Sequence, residues 1–243
     1  RKLIFKLILA KMDEPRKNYW YIFLTLLFFS IVTIDLFGEY LGNQKVVFIA
    51  KPLISIILMI IYWTYSDQRN SLFIATLLFA LISSVLFIVD DMTIILWGVA
   101  VFAIHRLLLI IFLIKILQAR DYAPIIIASL PTLLIFFYLL SITTNISATI
   151  VVLFSINNFL ISFFCGIVYS NYFMKIESKN PWLVISALMF IALQLIVYIE
   201  KFYLIEFSPR MLRPTAVFFL AMALFALVRG TLSQERLNRN TSP

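Results

Sequence analysis

Long apolar runs separated by short polar links dominate the pattern of this chain. A bilayer core takes roughly 20 consecutive apolar residues per helix, and about eight runs of that order can be marked off by charges, Asn, Gly or Pro. We expect helices over residues 19–37, 46–65, 71–89, 93–117, 124–140, 146–172, 182–205 and 215–232. The links between them are too short to hold a soluble domain, so the pattern predicts one bundle of membrane helices.

Composition supports this fold class. Hydrophobic residues make up 63% of the chain and the mean hydropathy is +1.02, which lies outside the range of soluble globular domains. Glycines number only five and no apolar/polar alternation is present, so a barrel of strands is disfavoured. The prediction is an all-α polytopic bundle over residues 19–232, with a basic interfacial segment at 1–18 and a polar tail at 233–243.

Lys and Arg residues are unevenly divided between the two sides of this predicted bundle. Most lie in the N-terminal segment, in alternate links and in the C-terminal tail, and the opposite side carries only Lys45, Lys201, Arg210 and Arg213. Positive residues are retained in the cytoplasm, so both termini are expected there. The net charge of +8 is spread over links instead of being gathered in a groove, which favours anionic lipids as partners and excludes nucleic acid.

A few ionisable residues interrupt the apolar runs. Lys51 and Pro52 lie inside the second run, Asp35 lies near the end of the first, and His105 and Arg106 lie within the fourth. A charge at the centre of a bilayer costs at least about 2.5 kcal/mol, so each needs a partner or a role. Lys51 either reaches the outer interface past the proline or belongs to a site, and Arg106 is expected to pair with Asp35 or a carbonyl.

Catalytic and metal motifs are sparse. His105 shares one helix face with Gly98 and Phe102, and an interhelical hydrogen bond is the simplest role for it. A single histidine without a cysteine cluster does not make a zinc site, and no Gly-rich phosphate loop or nucleophile elbow occurs, so no metal or cofactor is predicted. The pair Asp90 and Asp91 fits a helix N-cap better than acid/base chemistry.

Several segments resemble the YhhN-like lysoplasmalogenase family of eight-helix membrane proteins. These are "AKPLISIILMI", "FALISSVLFIV", "LWGVAVFAIHRLLLIIF", "ISALMFIALQLIVYIEKFY" and "AVFFLAMALFALVRGTL", in the order of the family's helices. The resemblance implies hydrolysis of the vinyl-ether bond of a lysophospholipid, in a bacterial-type cytoplasmic membrane. It also makes Lys51 a candidate for holding an anionic headgroup or for pairing with Asp35 within the family's cavity.

The chain departs from the family pattern at the expected acids. Ser83 and Ser84 stand where a Gly-Asp pair is typical, and Ala192 and Leu193 stand where Ser-Asp is typical. Three hypotheses therefore stay open: a hydrolase with a rebuilt site, a silent lipid-binding or structural subunit of a larger membrane complex, and, less favoured, a transporter. The candidate cavity-facing residues are Asp35, Lys51, Ser84, His105 and Gln194.

Overall fold

A computed structural model of the chain describes residues 2–89, 91–119, 121–143, 147–174, 179–203 and 211–241. Over these residues the chain is helical without a strand, which confirms the all-α prediction. The helices are α1 (Lys2–Leu41), α2 (Gln44–Tyr65), α3 (Ser71–Leu86), α4 (Met92–Ile116), α5 (Tyr122–Ser141), α6 (Ala148–Met174), α7 (Pro181–Tyr198) and α8 (Leu212–Thr241). One π-helical turn, Ile199–Tyr203, extends α7.

Among the described residues, seven helices are long and apolar enough to cross a membrane. The exception is α3, which has 16 residues and is apolar throughout. At 1.5 Å per residue it spans about 24 Å, less than the hydrocarbon core of about 30 Å. The predicted third run continues past Leu86, but the helix ends there, and the Phe87 amide donates its last hydrogen bond to the Ser83 carbonyl oxygen.

Short polar side chains cap the N-termini of α2, α3 and α4. Asn43 accepts a hydrogen bond from the Val46 amide, and Asn70 does the same for Leu72. Asp91 accepts from the amides of Thr93 and Ile94, which confirms the N-cap interpretation for this carboxylate. Asp90, its neighbour in the predicted pair, lies outside the described residues.

Seven helices form a closed ring. Each packs on the next in the order α1, α2, α3, α4, α6, α7, α8 and back to α1, while α5 packs mainly on α6 from outside. The α5 contact is very close, since a Cβ added to Gly166 would lie 2.5 Å from the Ile125 carbonyl oxygen. The ring arrangement leaves space along its axis, and that space is the functional candidate.

The two ends of the ring differ. At one end, which we call the latch end, the Glu235 carboxyl accepts hydrogen bonds from Tyr62 Oη at 2.9 Å and from Ser66 Oγ at 2.8 Å. These bonds join α2 to α8 across the ring. The opposite end carries the α1–α2 turn at Gly42 and the start of α8, and we call it the mouth end.

Both ends of the chain are more helical than the sequence pattern indicates. The eighth helix was predicted to stop at Leu232, yet α8 continues to Thr241 and buries Gln234 and Glu235 against α2 and the start of α7. At the other end, α1 is continuous for 40 residues, so residues 2–18 of the predicted interfacial segment belong to the same helix as the first span. Helix length is set here by tertiary partners that a local hydropathy pattern does not include.

Candidate functional site

A cavity of about 290 Å³ occupies the axis of the ring in its mouth half. Gly42 and the exposed Gln44 line it at the α1–α2 turn, so it reaches the surface there. Its wall is mostly apolar. Its polar and charged lining residues are Asp35, Glu39, Gln44, Lys51, Ser55, Ser83, Ser84, Asn157, Gln194, Glu200, Lys201 and Arg213. A deep apolar pocket with a charged rim is the shape of a site for an amphipathic molecule.

One wall of the cavity carries an ion pair that the sequence did not reveal. Lys51 of α2 binds Glu39 of α1, and each side chain is only 11% exposed. Asp35, the partner of Lys51 that we considered from the sequence, does not form this pair. Asp35 and Glu39 are four residues apart and so lie on one face of α1, and the lysine takes the carboxylate that is one turn nearer the mouth.

Asp35 is left without a partner. The side chain is 0% exposed and lines the cavity, and neither of its carboxyl oxygens has a hydrogen bond within the described part of the chain. A buried carboxyl group without a bond loses its hydration uncompensated, at a cost of about 1–3 kcal/mol or more. Such unsatisfied groups in a native fold call for an explanation, and a ligand in the cavity is the direct one.

The facing wall has the opposite balance of charge. Glu200, in the π-helical turn, lies 3.4 Å from Arg213 Nε and 3.6 Å from Lys201 Nζ. π-Helical turns are rare and are frequent at functional sites. Among the described lining residues, the α1–α2 wall therefore has two carboxyl groups and one cation, and the α7–α8 wall has two cations and one carboxylate.

Arg106 lies behind the cavity wall and is held by amides. Its guanidinium donates to Asn157 Oδ1 at 3.0 Å and to Gln194 Oε1 at 2.7 Å, and it lies 4.6 Å from the centroid of the Phe102 ring. Arg106 does not pair with Asp35. The predicted alternative is formed instead, since its Nη1 also donates to the backbone carbonyl oxygen of Asn157 at 3.1 Å. Through these bonds a buried cation fixes two amides that line the cavity.

His105 is buried outside the cavity lining. Its Nδ1 lies 2.8 Å from the Thr76 carbonyl oxygen, so this nitrogen carries the proton and donates it to α3. The ring stacks on Phe102 with centroids 5.3 Å apart. The interhelical hydrogen bond expected from the sequence is thus formed, and Phe102, on which the ring stacks, lines the cavity.

The other sequence candidates fall at the cavity wall. Ser84 lines it and donates to the Leu81 carbonyl in its own helix, and Ser83 lines it and donates to the Gly98 carbonyl of α4. Gln194 and Lys51 line it as well. Glu39 was missed, because it stands two residues beyond the first predicted apolar run, which ends at Phe37.

In the part of the chain that is described, no group of three His, Cys, Asp or Glu residues is placed to hold a metal ion. Cys165 is free and buried.

Comparisons with family models, curated proteins and solved structures give no match to this chain. The resemblance to the YhhN-like family therefore stays a prediction, while the protein itself is a polytopic helical membrane bundle with a polar-rimmed internal cavity.

Proposed function

We propose that this integral membrane protein binds a single-chain phospholipid, a lysophospholipid, in its axial cavity. The observation that carries the proposal is the unpartnered, fully buried Asp35 on the wall of an otherwise apolar pocket. The volume of about 290 Å³ is at the lower end of the range for small-molecule sites, about 300–1,000 Å³. It suits one hydrocarbon chain better than two.

The charges at the rim support a zwitterionic headgroup. An ammonium group fits beside Asp35 and Glu39, where carboxyl groups outnumber cations. A phosphate fits beside the Lys201 ammonium group, which lines the cavity at the facing rim. Charge-assisted hydrogen bonds to phosphate are short and strong.

Binding is tested with lysophosphatidylcholine and protein in lipid nanodiscs, by native mass spectrometry of the retained lipid. Val217 lines the cavity on α8, whereas its neighbour Phe218 is exposed on the outer surface. Val217→Trp fills the cavity and is expected to lower retention at least tenfold. Phe218→Trp, the matched control, is expected to leave it unchanged. Equal retention by both variants would refute the proposal.

A second candidate function is hydrolysis of a vinyl-ether bond in that lipid. The observation that favours it is again Asp35, which among the described residues is the one carboxyl group buried in the cavity without a hydrogen bond. A protonated Asp35 can deliver its proton to the enol-ether carbon, and water then adds to the oxocarbenium ion. Collapse of the hemiacetal releases a fatty aldehyde and a glycerol hydroxyl, and the proton returns to the carboxylate.

This reaction is tested by incubating the purified protein with a lysoplasmalogen and measuring aldehyde release by mass spectrometry. General acid catalysis contributes about 10²- to 10⁴-fold, so Asp35→Asn should lower the rate by that factor. Asp67→Asn is the control, since this carboxylate is exposed at the latch end and pairs with Arg239. No aldehyde from a protein that retains lysophospholipid would leave binding as the function and reject hydrolysis.

The structure gives less support to a transporter. On the latch side of the cavity, aromatic rings pack against one another. The ring centroids of Phe28 and Phe225 are 5.2 Å apart, and those of Tyr62 and Phe73 are 4.5 Å apart. These four rings are buried and present mostly apolar surface to one another, so this layer offers few polar groups to a permeating solute. A permeation route needs polar groups across the whole bundle.

A further inference from the structure

The position of the cavity along the bundle identifies the side from which a ligand enters. All of its lining residues on α1, α2 and α8 lie towards the mouth end: Asp35 to Gly42, Gln44 to Ser55 and Arg213 to Leu224. The cavity therefore has its opening beside the α1–α2 turn and its floor near the middle of the bundle.

The latch end is closed by both packing and hydrogen bonds. Glu235 accepts hydrogen bonds from Tyr62 and Ser66 across the ring. The Tyr62 ring packs on Phe73 with centroids 4.5 Å apart, and Phe73 packs on Phe112 with centroids 4.8 Å apart. A charged headgroup drawn through this layer would lose its water without gaining partners, at a cost of several kcal/mol. Entry from the latch end is therefore disfavoured.

The distribution of Lys and Arg assigns these ends to sides of the membrane. The links and helix ends at the latch end carry Arg69, Lys115, Lys179 and Arg229, together with the basic residues of the N- and C-terminal segments. The mouth end has few, and of these Lys201 and Arg213 line the cavity. Positive residues mark the cytoplasmic side, so the mouth end faces away from the cytoplasm.

We infer that the cavity takes its single-chain lipid from the extracytoplasmic leaflet and is sealed to the cytoplasmic leaflet. The headgroup stays at the rim between the two charged walls, and only the hydrocarbon chain enters the apolar part. This inference rests on the proposed lipid binding and adds the leaflet that supplies the lipid. The lipid source it implies is a reaction that removes one chain from a phospholipid on the outer face.

The test uses single cysteines and a membrane-impermeant maleimide. Cys165→Ser removes the only native cysteine, which is buried. Gln44→Cys then places a thiol at the cavity rim, and Arg236→Cys places one at an exposed site of the latch end. Labelling is compared in right-side-out and inverted membrane vesicles, with and without added lysophosphatidylcholine.

We expect Gln44→Cys to react in right-side-out vesicles and Arg236→Cys in inverted ones. Lysophosphatidylcholine should slow labelling of Gln44→Cys several-fold, leave Arg236→Cys unchanged, and fail to protect when Val217→Trp fills the cavity. Labelling of Gln44→Cys only in inverted vesicles, with protection intact, would overturn the leaflet and leave lipid binding standing. Labelling on the expected side without protection would overturn lipid binding itself, and this inference with it.

Discussion

Removing the Glu235 carboxyl is expected to destabilise the bundle at its latch end. Two protons are donated to this group, one from Tyr62 Oη at 2.9 Å and one from Ser66 Oγ, which lies 2.8 and 3.0 Å from the two carboxyl oxygens. The donors and the acceptor are buried, and Glu235 lies 173 residues from Tyr62 and 169 residues from Ser66 in sequence. The bonds therefore report on tertiary packing.

The size of the effect follows from these two bonds. Hydrogen bonds to charged groups contribute about 1.5–3 kcal/mol each in soluble proteins, while interhelical bonds in membranes average about 0.6 kcal/mol with a maximum near 1.7. Taking about 1.5 kcal/mol for each, Glu235→Ala should lower the free energy of unfolding by about 3 kcal/mol. Glu235→Gln keeps one acceptor oxygen and should lose about half of that.

The assay is reversible unfolding in mixed micelles with increasing sodium dodecyl sulfate, followed by tryptophan fluorescence. Arg236→Ala is the matched control, since this neighbour is exposed. A double-mutant cycle with Tyr62→Phe isolates the bond to the tyrosine, and its coupling energy should be about 1.5 kcal/mol. If Glu235→Ala unfolds at the same detergent fraction as Arg236→Ala, the latch does not stabilise the fold and the reasoning fails.

Three further predictions concern packing and the cavity. Gly166→Ala should lower the unfolding free energy by about 1–3 kcal/mol, because the added Cβ would lie 2.5 Å from the rigid Ile125 carbonyl oxygen. Gly38→Ala should cost less, because there the added Cβ would meet only valine side-chain atoms at 3.0 Å or more. Asp35→Leu should raise the unfolding free energy by about 1–3 kcal/mol and abolish retention of lysophosphatidylcholine, since a buried unsatisfied group is removed. Arg106→Lys should lower the unfolding free energy by about 2 kcal/mol, because an ammonium group cannot reproduce the forked bonds to Asn157 and Gln194.

Each of these has a result that would contradict it. Equal unfolding midpoints for Gly166→Ala and Gly38→Ala would mean that α5 can move away from α6 at no cost. An Asp35→Leu protein that is less stable, or that still retains lysophospholipid, would show that the carboxyl is held by the fold and is unrelated to a ligand. A fully stable Arg106→Lys protein would show that the amide bonds contribute nothing beyond charge.

The sequence alone determined the fold class and most helix positions. An apolar run of about 20 residues can satisfy its backbone in a bilayer only as a helix, so local hydropathy is enough. It also indicated where chemistry is to be sought, because a charge such as Lys51 or Asp35 in an apolar run is costly and stands out against its neighbours.

Only the tertiary structure decided which of these groups meet. Asp35 and Glu39 share a face of α1, and a shift of one helical turn between α1 and α2 selects Glu39 for Lys51 and leaves Asp35 free. Gln234 and Glu235 have the sequence pattern of a polar tail, yet α2 and the start of α7 bury them. Pairing and burial depend on contacts between residues distant in sequence, and a local pattern does not contain those distances.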